Sequence, residues 1–340
     1  MVLAVGTDRE WTSCRYGSAD EALHDPNGTE LYSESVYFNF VTDCEDGPAG
    51  GVLRIGLRPT DGYAELSLNL PLHDGTALFC YQREPLEPSA FAVGRSRWEC
   101  GGMQLEAVEP SRRWRLRYRG DRPRHVREPA RLGVDPGDVL RASERVPVDL
   151  ELEFEGRFPL HTLSPSGDIA EGGGVAFARN HYEQFGSVTG TIAAGPSVSQ
   201  VAVGPAFRDH SWGPRDWQAA PDSDFITIVD ADGSAIAGFV ARLDGAEFAA
   251  GVRWGSAGRQ TVQTLRIETG YAGEPELNRP LTVHVAAGDQ QLQYEARVRA
   301  FLPLRHRRDE HTVRIGQALL ALDGVSGTAA GWTDLTRPVR

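Results

Sequence analysis

At Arg208-Asp209-His210-Ser211-Trp212-Gly213-Pro214-Arg215-Asp216-Trp217 the chain concentrates charged and aromatic side chains. Gly204-Pro205 precedes this segment, and Gly213-Pro214 interrupts it. Because Gly and Pro disfavour both a regular helix and a continued central strand, residues 208–217 are predicted to form a structured loop between strands. Charged groups beside Trp rings are normally paired or functional, so the segment is also the leading candidate site.

On both sides of the segment the sequence alternates between apolar and polar residues, as β-strands do. Residues 148–154 (Val-Asp-Leu-Glu-Leu-Glu-Phe) show the pattern most clearly, and Pro59-Thr60-Asp61-Gly62 is typical of a hairpin turn. Turns recur about every 8–12 residues, which predicts an all-β antiparallel meander forming barrels or sandwiches. Helical periodicity is suggested only over 18–24, and residues 120–147 are predicted to be a long loop. The other predicted strands are 36–41, 52–57, 63–70, 76–82, 96–99, 103–108, 114–118, 187–192, 198–203, 225–229, 235–242, 247–254, 260–269, 281–286, 291–299 and 313–322.

The length of 340 residues predicts two domains, each able to bury a core. A faint internal repeat supports a boundary near residue 180: Tyr32-Ser33-Glu34-Ser35 precedes one predicted strand much as Tyr182-Glu183-Gln184 precedes another. The predicted domains are therefore 1–180 and 181–340.

Composition excludes several classes of function. The chain has 47 acidic and 35 basic residues, which argues against nucleic acid as the main partner. Lysine is absent, which excludes a Schiff-base or P-loop lysine. The four cysteines form no C-x-x-C pair, so structural zinc has little support and buried free thiols are expected. The sequence has neither a signal peptide nor a membrane span, so a cytoplasmic location is expected, with peripheral membrane contact left open.

The types of residue in 208–217 suit acid catalysis on an alkene. A carboxylic acid held against Trp rings stays protonated near neutral pH and can protonate a double bond, and aromatic faces can stabilise the resulting carbocation. Asp209, His210, Trp212 and Asp216 are the candidate catalytic residues, with His210 orienting water or accepting its proton. Arg208 or Arg215 is expected to pair with one of the two aspartates.

Other interpretations of the segment stay open. It is also consistent with a structural corner in which Arg–Asp pairs fix a crossover. A metal site would need Asp209, His210 and Asp216 with His181 or Glu183, a spacing that matches no standard motif, and no metal is predicted. A serine hydrolase is disfavoured because no G-x-S-x-G occurs. The arginines interleaved along 112–119 are interpreted as one solvated face of a strand.

At Gly204-Pro205-Ala206-Phe207 and the following Asp209-His210-Ser211-Trp212-Gly213 the chain resembles the carotenoid 1,2-hydratase (hydroxyneurosporene synthase) superfamily, which includes kievitone hydratase-like and lipocalin-type Diels–Alderase proteins. Tyr182-Glu183-Gln184 and Tyr32-Ser33-Glu34 support the resemblance. It implies two tandem lipocalin-like (calycin-like) β domains, a ligand cavity at their junction, an apolar polyprenyl-like or polyketide-like substrate and no cofactor. Carotenoid hydratases also use an acidic residue on a later strand, whereas residues 235–242 here carry no carboxylate.

The sequence and the resemblance together predict a cofactor-independent hydratase or lyase that adds water to an alkene of a terpenoid-like substrate in an interdomain pocket. A pericyclase or other cyclase, and a carrier of an apolar ligand, are the alternatives. The residues expected to contact the substrate are Trp217, Arg208, Arg215, Tyr182, Glu183, Tyr32 and Glu34.

Overall fold

Two antiparallel β-sheets account for nearly all regular structure in the part of the chain that the structure, a computed structural model, describes. The first sheet has twelve strands, and the second is a closed barrel of eight. This confirms the predicted all-β class with two tandem barrel-like units. The described residues are 14–44, 46–86, 91–163, 180–215, 221–243, 245–270, 281–308, 311–324 and 327–339.

The first sheet has the strand order β5-β6-β7-β10-β11-β12-β1-β2-β3-β4-β8-β9. A 3-10 turn at Ser18–Asp20 precedes it, and a second 3-10 turn at Pro129–Gly133 and the helix α1 at Pro136–Ala142 lie between β8 and β9. Its strands are β1 (Tyr32–Val41), β2 (Gly50–Arg58), β3 (Tyr63–Pro71), β4 (Ala77–Pro85), β5 (Arg97–Cys100), β6 (Met103–Glu109), β7 (Arg113–Gly120), β8 (Arg124–Val126), β9 (Glu144–Arg145), β10 (Val148–Gly156), β11 (Asn180–Ala194) and β12 (Ser197–Pro214).

The closed barrel contains the remaining strands in chain order. Each pairs with its neighbours in sequence, and the last strand pairs with the first to close the barrel. Its strands are β13 (Asp222–Val229), β14 (Ala235–Leu243), β15 (Ala246–Gly255), β16 (Gly258–Glu268), β17 (Leu281–Ala287), β18 (Gln290–Arg308), β19 (His311–Gly324) and β20 (Gly327–Val339).

In a strand with one face in solvent, buried and exposed residues alternate along the chain. In a strand covered on both faces, this alternation is lost. In β10 buried and exposed residues alternate strictly, whereas every residue of β1 is buried. The inner face of β1, with Val36, Phe38 and Phe40, belongs to the core of the first sheet. Its outer face, with Tyr37 and Val41, packs in a second cluster that includes residues of the closed barrel. The first sheet therefore has a filled interior and an outer face that packs against the barrel.

The structure corrects several sequence predictions. Residues 208–214 are the end of β12, a central strand between β11 and β1, and not a loop. The helix expected over 18–24 is only the 3-10 turn, and the loop expected over 120–147 contains α1 and three short elements. The last strand, β20, was not predicted.

The predicted boundary at residue 180 falls at the first residue of β11. Both β11 and β12 are hydrogen-bonded into the first sheet, so the passage from one sheet to the other lies between Pro214 and Asp222. The division of the chain into domains at residue 180 itself stays a prediction.

The arginines of β7 form a surface ladder of ion pairs. Arg117 and Arg119 pair with Glu151 and Asp149 of β10, and Arg115 pairs with Glu106 of β6. This agrees with the interpretation of 112–119 as a solvated strand face.

In the described ranges no helix is long and apolar enough to cross a bilayer.

Candidate active site

Three neighbouring strands bring the predicted site residues together at one end of the first sheet. In the register of β1 and β12, Glu34 lies opposite Trp212 and Val36 opposite His210. In the register of β11 and β12, Tyr182 lies opposite His210. Because side chains alternate between the two faces of a strand, Arg208, His210 and Trp212 all point to the inner face.

The carboxylate of Glu34 is the centre of the first hydrogen-bond group. His24 donates to it from its backbone N–H (3.0 Å to Oε2) and from ring Nδ1 (2.8 Å to Oε1), and Tyr32 donates its O–H to Oε2 (2.8 Å). His210 Nε2 lies 3.0 Å from Oε1. Burial alone would raise the pKa of Glu34, but the hydrogen bonds from His210 and His24 outweigh burial and hold that pKa below its usual range.

A second buried carboxylate, Glu21, anchors the other side of His210. Arg208 Nη2 and the Tyr182 O–H each donate to Glu21 Oε1 over 2.7 Å, and Trp114 Nε1 donates to Oε2 over 2.8 Å. The pKa of Glu21 is lowered because the charge of Arg208 and these hydrogen bonds outweigh the effect of burial. Since the proton of Tyr182 is directed to Glu21, the Tyr182 oxygen can accept from Nδ1–H of His210 at 2.9 Å.

Aromatic rings enclose these polar groups. His24 stacks on Trp212 with ring centroids 3.9 Å apart and planes 6° apart, and Trp98 meets His210 edge-on at 5.1 Å. Tyr16 contacts both Trp212 and Tyr182. His210 and Glu34 are fully buried, whereas 22% of the His24 side chain is exposed. His24 therefore stands between the buried network and the surface.

His24 has the geometry of a general acid or base. Its Nδ1 is held by a carboxylate, and its Nε2 makes no hydrogen bond among the described residues; the nearest carboxylate oxygen, Asp20 Oδ1, is 3.6 Å away. A carboxylate that accepts from Nδ1–H fixes the tautomer and orientation of the ring and leaves Nε2 as the nitrogen for proton transfer. Protein atoms enclose this nitrogen, so a substrate reaches it only after neighbouring side chains move. His24 was not predicted as a site residue because its ring neighbours Trp212 and His210 are distant in the chain, although Glu34 is only ten residues away.

We refer to Glu21, His24, Glu34, Tyr182, Arg208, His210 and Trp212 as the inner group.

The donor atoms of the inner group also suit a metal ion. His24, Glu34 and His210 each offer a ligand atom, and these atoms lie within 4.8 Å of one another. Two imidazoles and a carboxylate are a typical zinc-binding set, and the second nitrogen of His210 is held by Tyr182, as zinc-bound histidines usually are. The second nitrogen of His24 makes no hydrogen bond among the described residues, with Asp20 Oδ1 3.6 Å away, and both rings converge on the same oxygen of Glu34. A metal at this site would have to displace both of these hydrogen bonds.

Asp209 lies on the opposite face of β12 from His210. It faces Glu183 across the strand pair, and Glu183 is held between His181 (2.9 Å) and His161 (3.5 Å). Burial raises the pKa of Asp209. Asp209 and Glu183 therefore lie on one face of the sheet. The other predicted site residues of these strands lie on the opposite face: His210, Trp212, Tyr182, Tyr32 and Glu34.

The two arginines of the segment also differ in position. Arg208 is buried on the inner face and pairs with Glu21, not with an aspartate of the segment. Arg215 lies beside Ser35, and burial together with the nearby charge of Arg54 lowers its pKa to about 10. Asp216 and Trp217 lie outside the described residues.

Two cavities lined by described residues lie away from the inner group. One, of about 460 Å³, lies at the opposite end of the first sheet, beside His73, His125 and the β11–β12 turn. The other, of about 390 Å³, lies between the first sheet and the closed barrel and includes Val203 and Pro205 of β12. Neither is lined by residues 208–215, so the predicted pocket at the junction over this segment stays a prediction.

One family model matches nearly the whole chain. A family model for a domain of unknown function (DUF7064) matches residues 17–339. No curated protein matches the chain.

Three solved structures share the fold over nearly the whole chain. A putative AttH (NE1406) from Nitrosomonas europaea is 15% identical with a TM-score of 0.59, covering 92% of this chain and 94% of that one. CghA with Sch210972 is 12% identical with a TM-score of 0.55, covering 98% and 97%. Kievitone hydratase from Nectria haematococca is 10% identical with a TM-score of 0.51, covering 99% and 95%. These matches show that the chain shares the fold of these three proteins, in agreement with the predicted resemblance to kievitone hydratase-like proteins.

Proposed function

The chain belongs to the DUF7064 family, and we propose that it is a hydratase-like or cyclase-like enzyme in which the inner group transfers protons to and from an apolar, alkene-containing substrate. The fold shared with kievitone hydratase and CghA supports this class. The single observation that carries the proposal is the contact of His24 and His210 with one buried carboxylate, Glu34, which leaves His24 Nε2 without a hydrogen bond among the described residues.

For hydration, His24 is the proposed acid. The imidazolium of His24 gives its Nε2 proton to one alkene carbon, and the positive charge develops on the other carbon. The Trp212 ring, stacked against His24, offers an aromatic face to that charge. Water then adds to the cation and loses a proton to the neutral Nε2, which restores the acid. One water molecule is consumed, and no electron is transferred.

The other inner residues keep this centre in place. Glu34 fixes the ring of His24 through Nδ1, and His210 with Tyr182 connects Glu34 to the Glu21–Arg208 pair. A network in which each buried polar group has a partner holds its members in one arrangement. We therefore propose Glu34, His210 and Tyr182 as positioning residues that act through His24.

Filled interiors favour an enzyme over a lipocalin-like carrier. The first sheet encloses Phe38, Trp98, Trp114 and Phe154, and the closed barrel encloses a continuous apolar cluster around Tyr294. A carrier needs a cavity that buries most of its ligand. Along the described residues both interiors are occupied by side chains, which supports chemistry at one end of the sheet.

Solvent isotopes test the proposal. The protein is incubated with a panel of isoprenoid and polyketide alkenes in D₂O containing H₂¹⁸O, and products are analysed by mass spectrometry. A hydratase places one deuterium on carbon and one ¹⁸O in the product, a cyclase that begins with protonation places deuterium alone, and a pericyclase places neither. Products that form equally with His24→Gln protein would contradict the proposal.

Metal content is the necessary control for this experiment. Protein prepared with a chelator is expected to keep full turnover if His24 acts by its own proton. Turnover that is lost with the metal and restored by Zn²⁺ would assign His24, Glu34 and His210 to a metal centre instead.

A further inference from the structure

The end of the first sheet opposite the inner group contains a cavity of about 460 Å³, within the range of small-molecule sites. We refer to it as the mouth cavity; residues 46–48, 72–74, 144–147 and 194–197 surround it. Every described residue that lines it belongs to the first sheet or to the connections between its strands. Along β12, Ser199 at this cavity and His210 in the inner group are separated by roughly 35 Å of extended strand.

The floor of the mouth cavity is apolar. Leu78 belongs to the core of the first sheet, and Leu72, Val146 and Ala194 pack against that core. The interior below them is filled by side chains, so the cavity is a shallow mouth and not a deep calyx. A small apolar group can be buried there, whereas a long lipid chain cannot.

Hydrogen bonds determine which nitrogen of His125 can meet a ligand. The Thr76 O–H donates to Asp74 Oδ1 over 2.6 Å, so the same hydroxyl oxygen accepts from Nε2–H of His125 at 2.9 Å. In the neutral ring Nδ1 is then a hydrogen-bond acceptor, and it makes no hydrogen bond within the described ranges. Because His125 lines the mouth cavity, it offers an acceptor to a ligand there.

The other imidazole of the mouth cavity, His73, offers no donor to a ligand. Its Nε2 lies 2.6 Å from the carbonyl oxygen of Cys44, which can only accept, so this nitrogen carries the proton. Its Nδ1 accepts from Arg299 at 3.2 Å. The two imidazoles together favour a ligand that donates hydrogen bonds.

The lining of the mouth cavity has an excess of negative charge. Its charged side chains are those of Asp46, Asp74, Glu144 and Arg145. The hydrogen bonds from Thr76 hold the pKa of Asp74 below its usual range, so this carboxylate stays ionised. Arg299, which contacts His73 from the barrel, adds a second cation, and three carboxylates still exceed two arginines. The charge therefore favours a cationic ligand.

We propose that the mouth cavity binds a small apolar ligand that carries a primary ammonium group. The apolar part lies on the floor formed by Leu72, Leu78 and Ala194. The ammonium group has three donors, which meet His125 Nδ1 and the carboxylates at the rim. The proposal is independent of the chemistry at the inner group.

Calorimetric titration at pH 8 and low ionic strength tests the proposal with three matched ligands: 2-phenylethylamine, 2-phenylethanol and phenylacetate. The amine is expected to bind with a stoichiometry of one and about tenfold more tightly than the alcohol, because it adds charge-assisted hydrogen bonds. Phenylacetate should bind more weakly than the alcohol, since the carboxylates of the cavity repel it.

A charge-neutralising variant locates the binding. Asp46→Asn combined with Glu144→Gln should weaken the amine about tenfold and leave the alcohol unchanged, and both side chains are exposed, so the fold is kept. Asp323→Asn, on an exposed aspartate of the barrel, is the matched control and should change neither ligand. His24→Gln should bind the amine as the unchanged protein does, which separates this site from the inner group.

A second variant tests the apolar floor. Ala194→Leu should weaken the amine and the alcohol alike by filling the space. If this variant does not fold, the exposed double variant still decides. Equal affinity for the amine and the alcohol, tighter binding of phenylacetate than of the amine, unchanged amine binding in the double variant, or no amine binding would each overturn the proposal. None of these results bears on proton transfer at His24.

Discussion

Two buried carboxylates determine the arrangement of the inner group, and their partners determine their charge. Glu21 accepts from Arg208, Tyr182 and Trp114, and Glu34 accepts from His24 and Tyr32 and lies beside His210. An isolated carboxylate at such positions would be costly to bury, and these hydrogen bonds offset the cost. Removing a single partner should therefore destabilise the protein more than removing a surface ion pair.

The Glu21–Arg208 pair gives the first stability prediction. Glu21→Gln leaves the fully buried Arg208 guanidinium without a counter-charge and should reduce the free energy of unfolding by about 3–5 kcal/mol, measured by urea denaturation at pH 7. Asp149→Asn, which breaks the exposed pair with Arg119, is the control and should cost less than about 0.5 kcal/mol. Equal losses would contradict the account of Glu21.

The same pair predicts a pH dependence. The pKa of Glu21 in the folded protein lies below its ordinary value of 4.5, so its contribution to stability is present above pH 4.5 and is lost as the pH falls through the folded pKa. The difference in stability between Glu21→Gln and the unchanged protein should narrow as the pH is lowered from 5 to 3. A difference that stays constant over this interval would show that Glu21 is not ionised in the fold.

At the scale of single elements, β12 shows why the candidate site could be only partly predicted. Arg208, His210 and Trp212 lie on one face of β12 and Phe207, Asp209 and Ser211 on the other, but each face mixes polar and aromatic residues, so the sequence shows no apolar–polar alternation there. Gly213 and Pro214 suggested a loop, yet both lie at the end of the strand, where Gly213 has a φ of +118°. The charged residues on a buried face concealed the pattern, because their partners Glu21 and Glu34 are distant in sequence.

Gly190 gives a prediction at the same scale. It lies at the bulge of β11, with a φ of +139°, and a Cβ there would come 2.1 Å from the carbonyl oxygen of Glu151. Gly190→Ala should reduce the free energy of unfolding by about 2–4 kcal/mol. Gly233→Ala, at a φ of +82° with no heavy atom within 4 Å, should cost only the backbone strain of about 1 kcal/mol. Similar losses in thermal denaturation would argue against the bulge.

At the scale of the whole molecule, the two sheets meet through side chains that sequence patterns do not connect. Trp332 of β20 donates from Nε1 to the carbonyl oxygen of Phe40 over 3.0 Å, and Asn69 of β3 donates to Gln317 of β19. The alternation along each strand predicted the all-β class and most strand positions. The alternation could not predict which strands of the first sheet contact which barrel strands. Such contacts join residues that are far apart in sequence, as Phe40 and Trp332 are.

Asp334 makes the contact between the first sheet and the closed barrel sensitive to pH. Burial raises its pKa to about 7, with a further increase from the charge of Asp209 and opposing hydrogen bonds from Gln317 and Tyr37. Because the folded pKa lies above the ordinary value of 3.8, its contribution to stability is complete below pH 3.8 and is lost as the pH rises through 7.

Asp334→Asn keeps this side chain neutral at every pH. The variant should be more stable than the unchanged protein at pH 8 by about 1–3 kcal/mol and should match it near pH 4, as measured by urea denaturation. Asp323→Asn, in the exposed pair with Arg297, should show no such dependence. A stability gain for Asp334→Asn that is the same at both pH values would contradict the assignment.

The central claim is that proton transfer takes place on the inner face of β12, at His24 positioned by Glu34, and not on the outer face at Asp209. The most direct measurement compares the turnover of Glu34→Gln and Asp209→Asn on a substrate identified from the alkene panel. We expect Glu34→Gln to lose about 100-fold or more in kcat while its folding remains cooperative, and Asp209→Asn to keep kcat within a few-fold. Full activity in Glu34→Gln together with inactivity in Asp209→Asn would place the chemistry on the other face of the sheet.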